Sequence, residues 1–175
     1  MSDKVINIAG VVQDSIVDGP GLRLVIFAQG CARHCPGCHN PETWDFNGGT
    51  PKKIDDLLEL AKRNPLCRSV TFSGGEPFAQ AEAFADLAEL LHEQKYEVAS
   101  YTGFLFEELI KGTPDQTRLL QNIDILIDSP FILAERTLDL PFRGSRNQRI
   151  LDVPASLKAG TAIPCIQNRW ISPKQ

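Results

Sequence analysis

Apolar positions along the chain follow two periods that alternate. Val5 to Val12, Leu22 to Ala28, Ser69 to Phe72, Tyr96 to Tyr101 and Ile123 to Ile127 are short apolar runs that predict strands. Between them the spacing changes to that of a helix. Ile54, Leu57, Leu58 and Ala61 recur at helical intervals, with Pro51 suited to a first helical position and Asn64-Pro65 as the stop. Phe84, Leu87, Ala88 and Leu91 share one face of a helix predicted over residues 81–94, and shorter helical stretches are predicted over residues 104–110 and 115–120. Strands alternating with helices predict an α/β fold, its parallel strands joined by right-handed crossovers and covered by helices. No repeat, low-complexity tract or linker divides residues 1–175, which read as one domain, although the pattern weakens after Pro130 and leaves room for an appended lobe.

Sheets of this class take ligands at the carboxyl ends of their strands. The chemically suggestive residues fall there: Gln29 to Thr50 follows one predicted strand, Ser73-Gly-Gly-Glu76 a second, Thr102-Gly103 a third and Asp128 a fourth. The segment from Gln29 to Thr50 has no periodicity and is rich in Cys, Gly, Pro, His and Asn, a length of loop that compact domains seldom keep without a function. Within it, Cys31-x-x-x-Cys35-x-x-Cys38 supplies three thiolates, and soft thiolates select iron-sulfur clusters, zinc or copper over hard cations. On a cubane 4Fe-4S cluster, three cysteines leave one iron without a protein ligand, the open position that a catalytic metal needs. The other reading is a structural zinc site completed by His34 or His39.

Composition narrows the partners. A formal charge of -4 at pH 7 and a pI near 5.4 give no overall attraction to nucleic acid or anionic lipid, so neither is expected as a partner. No stretch approaches the roughly 18 apolar residues of a membrane span, and the N-terminus lacks the basic start and apolar run of a secretory signal. The expectation is a cytoplasmic protein. Five cysteines is an odd count, and three of them crowd beside two histidines, which suits metal ligation in a reducing compartment better than a disulfide framework.

The cysteine loop together with Ser73-Gly-Gly-Glu-Pro77 resembles the radical S-adenosylmethionine superfamily. The resemblance implies a partial (β/α) barrel of parallel strands and an enzyme whose 4Fe-4S cluster is held by Cys31, Cys35 and Cys38. S-adenosylmethionine would chelate the open iron, with its methionyl end held by Ser73, Gly74, Gly75 and Glu76. Reductive cleavage of its sulfonium would yield a hydrogen-abstracting radical, leaving no catalytic side chain beyond the cluster ligands. The superfamily usually carries an aromatic residue just before the third cysteine, where this chain has Gly37. His39, or the backbone from Gly37 through Cys38 to His39, would then meet the adenine.

A narrower resemblance, over most of the chain, is to the activating proteins of anaerobic ribonucleoside-triphosphate reductase. It is carried by Asp18-Gly-Pro-Gly-Leu-Arg23, the segment from Gly30 to Trp44 with its Cys-Pro-Gly-Cys variant, Phe72 to Phe78, Tyr101-Thr-Gly-Phe104 and Pro141 to Arg149. It implies an oxidoreductase that abstracts hydrogen from a glycine of the reductase catalytic subunit, with flavodoxin or ferredoxin as electron donor. The rivals are an activator of another glycyl-radical enzyme such as pyruvate formate-lyase, a ring-forming relative, and a non-catalytic zinc or iron-sulfur protein.

Other residues carry two readings each. Asp128 is read as a ribose contact or as a cap before Pro130, and Tyr101 to Gly103, with Thr102, as part of the adenosyl pocket or as a half-buried aromatic and a turn. Arg143, Arg146 and Arg149 form either a docking patch or a solvated loop, and Cys67 and Cys165 are read as small buried hydrophobes.

Overall fold

The computed structural model describes residues 3–172. In chain order the elements are β1 (Val5–Ser15), β2 (Arg23–Ala28), β3 (Thr50–Lys53), α1 (Ile54–Lys62), β4 (Ser69–Gly74), α2 (Ala81–Glu93), β5 (Glu97–Tyr101), α3 (Phe106–Leu109), α4 (Pro114–Gln121), β6 (Ile125–Asp128), β7 (Arg149–Asp152), α5 (Val153–Ala159) and α6 (Asn168–Ile171). The strands form one seven-stranded sheet in the order β3-β1-β2-β4-β5-β6-β7. Its centre, β2-β4-β5-β6, is parallel. Both flanks are antiparallel, β1 pairing with β2 and β3 on one side and β7 with β6 on the other. The fold is therefore α/β, as the alternating periods predict, on a sheet that is mixed rather than wholly parallel.

Two segments depart from expectation. Pro51 does not open the helix but lies in β3, opposite Asn7, and α1 begins at Ile54 after an extended Lys53. A proline fits there because β3 is an edge strand, where a missing N–H costs no inner ladder bond. The chain after Pro130 returns to the same sheet through β7, and Asp152 then caps α5 by accepting from the Ala155 N–H at 3.0 Å. Four-residue β7 is too short to stand out as a period.

Strand alternation assigns the two faces of the sheet. Leu24, Ile26, Val70, Phe72, Val98 and Leu126 pack with Ile54 and Leu57 of α1, Phe84, Leu87 and Leu91 of α2 and Leu119 of α4 in the main core. The opposite parity carries Arg23, Thr71, Glu97 and Tyr101, and a smaller core of Ala99, Ile125, Ile127, Ile150, Cys165 and Trp170.

Candidate active site

A cavity of about 920 Å³ opens at the carboxyl ends of the parallel strands, on the face away from the main core. Cys31, Cys35, Cys38, Ser73, Gly74, Gly75 and Glu76 all line it, so the two motifs meet in one place.

They meet through the main chain. Where β2 ends, the Gly30 N–H donates to Thr43 O at 2.7 Å and the Cys31 N–H to Trp44 O at 3.1 Å, folding the cysteine loop back on itself. Where β4 ends, the Gly75 N–H donates to Ala28 O at 2.8 Å and the Glu76 N–H to Gly30 O at 2.9 Å. Gly74 holds a φ of +88°, and a Cβ at Gly75 would stand 2.5 Å from Gly30 O. Only glycines let this turn lie against the exit of the cysteine loop. The close approach that the glycines permit is thus made to the neighbouring strand.

The three motif thiols are free and part-exposed, and the Cys38 N–H donates to Cys35 O at 3.0 Å in the turn that Gly37 closes at a φ of +76°. The Asn40 N–H points at Cys38 Sγ, 3.4 Å away. Burial pushes the Cys31 thiol up, against N–H groups of Arg33 and His34 that favour the thiolate. His34 stacks on Trp44 with ring centroids 4.5 Å apart, and His39 tilts against Phe131 at 5.2 Å. Among the described residues no three His, Cys, Asp or Glu side chains are drawn onto a single-ion centre. The donor set itself, three unpaired thiols on one pocket wall beside an amide aimed at sulfur, fits a thiolate-held iron-sulfur cluster with a corner open to the pocket. Cys67 and Cys165 are buried elsewhere, Cys67 donating to Leu22 O.

Glu76 is 4% exposed, and its carboxylate organises the next strand end. Oε1 accepts from the Thr102 hydroxyl at 2.9 Å and the Phe78 N–H at 3.1 Å, and Oε2 accepts from the Gly103 N–H at 2.8 Å. Burial pushes the carboxyl above its ordinary range, and these three donors oppose the shift. Thr102 therefore serves as a strut between Glu76 and the Phe104 N–H.

Asp128 lies elsewhere than expected. It shares strand parity with Leu126, so it points to the helix side rather than into the cavity, which it does not line. There, wholly buried, it accepts from the Phe106 N–H that opens α3 at 2.8 Å and from Arg149 Nε at 2.9 Å. Asp128 is thus engaged in a structural contact, and its neighbour Ser129 lines the cavity. The late arginines also part company: Arg149 pairs with Asp128 and Glu107, Arg146 is exposed, and Arg143 lines the cavity.

Two contributors escape sequence reasoning, and a third enters it only as a motif without a role. Arg33, inside the cysteine motif, lies over the Phe104 ring at 4.6 Å and 3.8 Å from Glu108, leaning on Gly103 and so tying the loop to β5. Leu133 fills the space beside Gly37, where a Cβ would stand 2.7 Å from it, and Phe131 lies just beyond, its ring 3.4 Å from that position. Asp18-Gly-Pro-Gly21 wraps buried Arg23, which donates to Pro20 O and Thr71 Oγ1 and lies 4.9 Å from the Trp170 ring centre. Only the last had a signal, the glycine-rich turn itself.

Comparison with known proteins gives this chain its relatives. The 4Fe-4S single cluster domain family matches residues 17–151. The anaerobic ribonucleoside-triphosphate reductase-activating protein of Vibrio cholerae is 34% identical over 77% of this chain and 90% of its own length. That of Escherichia coli is 31% identical over 76% of this chain and 90% of its own. The pyruvate formate-lyase-activating enzyme of Clostridium pasteurianum is 42% identical, but over 56% of this chain and 45% of that enzyme, so the chain spans under half of that relative. The chain belongs to the 4Fe-4S single cluster domain family and to the family of the anaerobic ribonucleoside-triphosphate reductase-activating proteins.

Proposed function

We propose that this protein activates an anaerobic ribonucleoside-triphosphate reductase by placing a glycyl radical on its catalytic subunit. The observation that carries the reading is the joining of the two motifs: the Glu76 N–H on Gly30 O sets a buried carboxylate beside the loop of three free thiols. Cys31, Cys35 and Cys38 hold the 4Fe-4S cluster. When bound, the cluster and S-adenosylmethionine together supply one-electron cleavage of a sulfonium and hence abstraction of a hydrogen atom.

The chain's own residues bind and orient. Glu76 Oε2 carries one N–H donor, so it can accept from the methionyl ammonium, whose charge offsets the burial that raises this carboxyl. Gly74, Gly75 and Ser73 bring that oxygen to the wall of the cavity. Phe131 and His39, packed on one another beside Gly37, offer the ring face that the missing aromatic before Cys38 would have supplied. Flavodoxin or ferredoxin delivers the electron, and a reducing cytoplasm suits five free cysteines.

Reconstituted protein, reduced and given S-adenosylmethionine, is expected to release methionine and 5'-deoxyadenosine and to raise a glycyl-radical signal in electron paramagnetic resonance on a cognate reductase. The partial match to the pyruvate formate-lyase activator makes that lyase the second target to test. A radical on the lyase alone would transfer the assignment to it.

A further inference from the structure

Arg143 is the one late arginine that lines the cavity. Its buried Nε has no hydrogen-bond partner, and among the described residues no carboxylate pairs with its guanidinium. Burial alone lowers its pKa, with no compensating acid. A cation left unmatched in a pocket wall marks a place where oxygen acceptors are missing from the protein itself. The same cavity carries apolar residues open to solvent: Leu138 is 87% exposed, Val17 65% and Val12 45%, and all three line it. Exposed apolar residues around a half-buried arginine are the make-up of a protein-binding centre.

We infer that Arg143 receives the glycine-bearing segment of the protein substrate, its guanidinium fork donating to main-chain carbonyl oxygens of that segment as it enters past Leu138, Val17 and Val12. The inference rests on the glycyl-radical reading above. A segment that offers a backbone α-carbon for hydrogen abstraction must enter without its own secondary structure, so its carbonyls arrive unpaired. A planar fork of N–H donors can satisfy two of them at once and fix the α-carbon between them. Arg143 is in this sense a specificity-determining residue, separate from the cluster ligands and from Glu76.

Cluster-loaded wild type, Arg143→Gln and Arg143→Lys are titrated against the cognate reductase, and glycyl radical formed is counted against 5'-deoxyadenosine released. Both variants are expected to bind the reductase about 30-fold more weakly, an arginine hot-spot effect, because neither side chain reproduces the fork. Radicals per cleaved S-adenosylmethionine are expected to fall about tenfold on the same ground. Melting temperatures are expected to hold or rise, since an unpaired buried N–H is removed. Leu138→Asp, fully on the rim, is expected to weaken reductase binding without unfolding the protein. Reductase affinity and coupling ratio equal to wild type in Arg143→Gln would overturn the inference, as would a loss confined to S-adenosylmethionine affinity, which would give the arginine to the cofactor. Wild type failing to make a glycyl radical on any reductase would instead remove the reading beneath it.

Discussion

On the helix-covered face of the sheet, Leu24, Ile26, Val70, Phe72, Val98 and Leu126 pack into the main apolar core with Ser100 and Asp128 buried among them, whereas the same strands turn Arg23, Thr71, Glu97 and Tyr101 to the opposite face. Parallel strands buried on both sides ordinarily read as continuous apolar runs. Here one face gathers hydrophobic stability, while the other buries an ion pair of Arg23 with Glu97 and opens at its carboxyl edge into the cavity that Tyr101 lines. The two faces answer to different demands, and substitutions should separate them.

The largest effect falls on chemistry alone. Cys35→Ala is expected to abolish cluster binding and every product of S-adenosylmethionine cleavage, read by iron content and 5'-deoxyadenosine. Because the thiol is part-exposed and caps no element, unfolding of the metal-free variant should stay within about 0.5 kcal/mol of wild type. A markedly destabilised metal-free Cys35→Ala would mean that the loop belongs to the fold as much as to the site.

Glu97 tests whether the cavity face also carries stability. Arg23 is wholly buried, and Glu97 meets it at 3.0 Å while pairing on its outer side with Arg169 of α6. Burial lowers the Arg23 pKa and Glu97 opposes the shift most strongly. Glu97→Gln strips the charge partner from a buried guanidinium, expected to cost about 3–5 kcal/mol in denaturant unfolding. A cost under about 1 kcal/mol would show that the Trp170 ring and the Thr71 and Pro20 oxygens suffice to hold Arg23. On the helix face, Leu87→Ala at a fully buried position is expected to cost about 2–5 kcal/mol with S-adenosylmethionine cleavage intact in the folded fraction. Lost cleavage at unchanged iron content would couple the two faces.

Sequence periodicity reads the helix face well, because Phe84, Leu87, Ala88 and Leu91 have one job each and the 3.6-residue period states it. The cavity face is read through its motifs instead. Cys31, Cys35, Cys38 and Ser73 to Glu76 converge as the strand ends predict, since β2 and β4 pair in parallel and end side by side, bringing Gly75 against Gly30. What stays hidden depends on distant partners. Arg23 looks like an ordinary strand-flanking arginine until Glu97 and Trp170 close over it, and Phe131 has no spacing that links it to Gly37. Asp128 was within reach: its parity with Leu126 turns it to the helices, and counting by twos along β6 gives that answer without coordinates.

The smallest effect lies at the amino ends of the strands, away from the cavity, where His92 at the end of α2 sets Nε2 2.9 Å from Asp124 Oδ2. Asp124 also accepts from the Val98 N–H at 2.8 Å, so the pair ties α2 to the start of β5. The bond to Asp124 holds the imidazole above its ordinary pKa, with partial burial opposing. A group whose pKa is raised on folding contributes stability that is fully present below the unfolded value, near 6.5, and is lost as pH rises through the higher folded value. Both side chains are about a third exposed, at 33% and 37%, so solvent screens the pair and holds its worth to about 0.2–1 kcal/mol. His92→Gln is therefore expected to destabilise by about that amount near pH 5 and to match wild type by about pH 9, in paired denaturant melts of the metal-free protein. A gap of constant size across that range would assign the residue to packing rather than charge. A change in S-adenosylmethionine cleavage would be the more consequential result, since it would carry an effect from the far end of the sheet to the cavity and end the separation on which the two faces were compared.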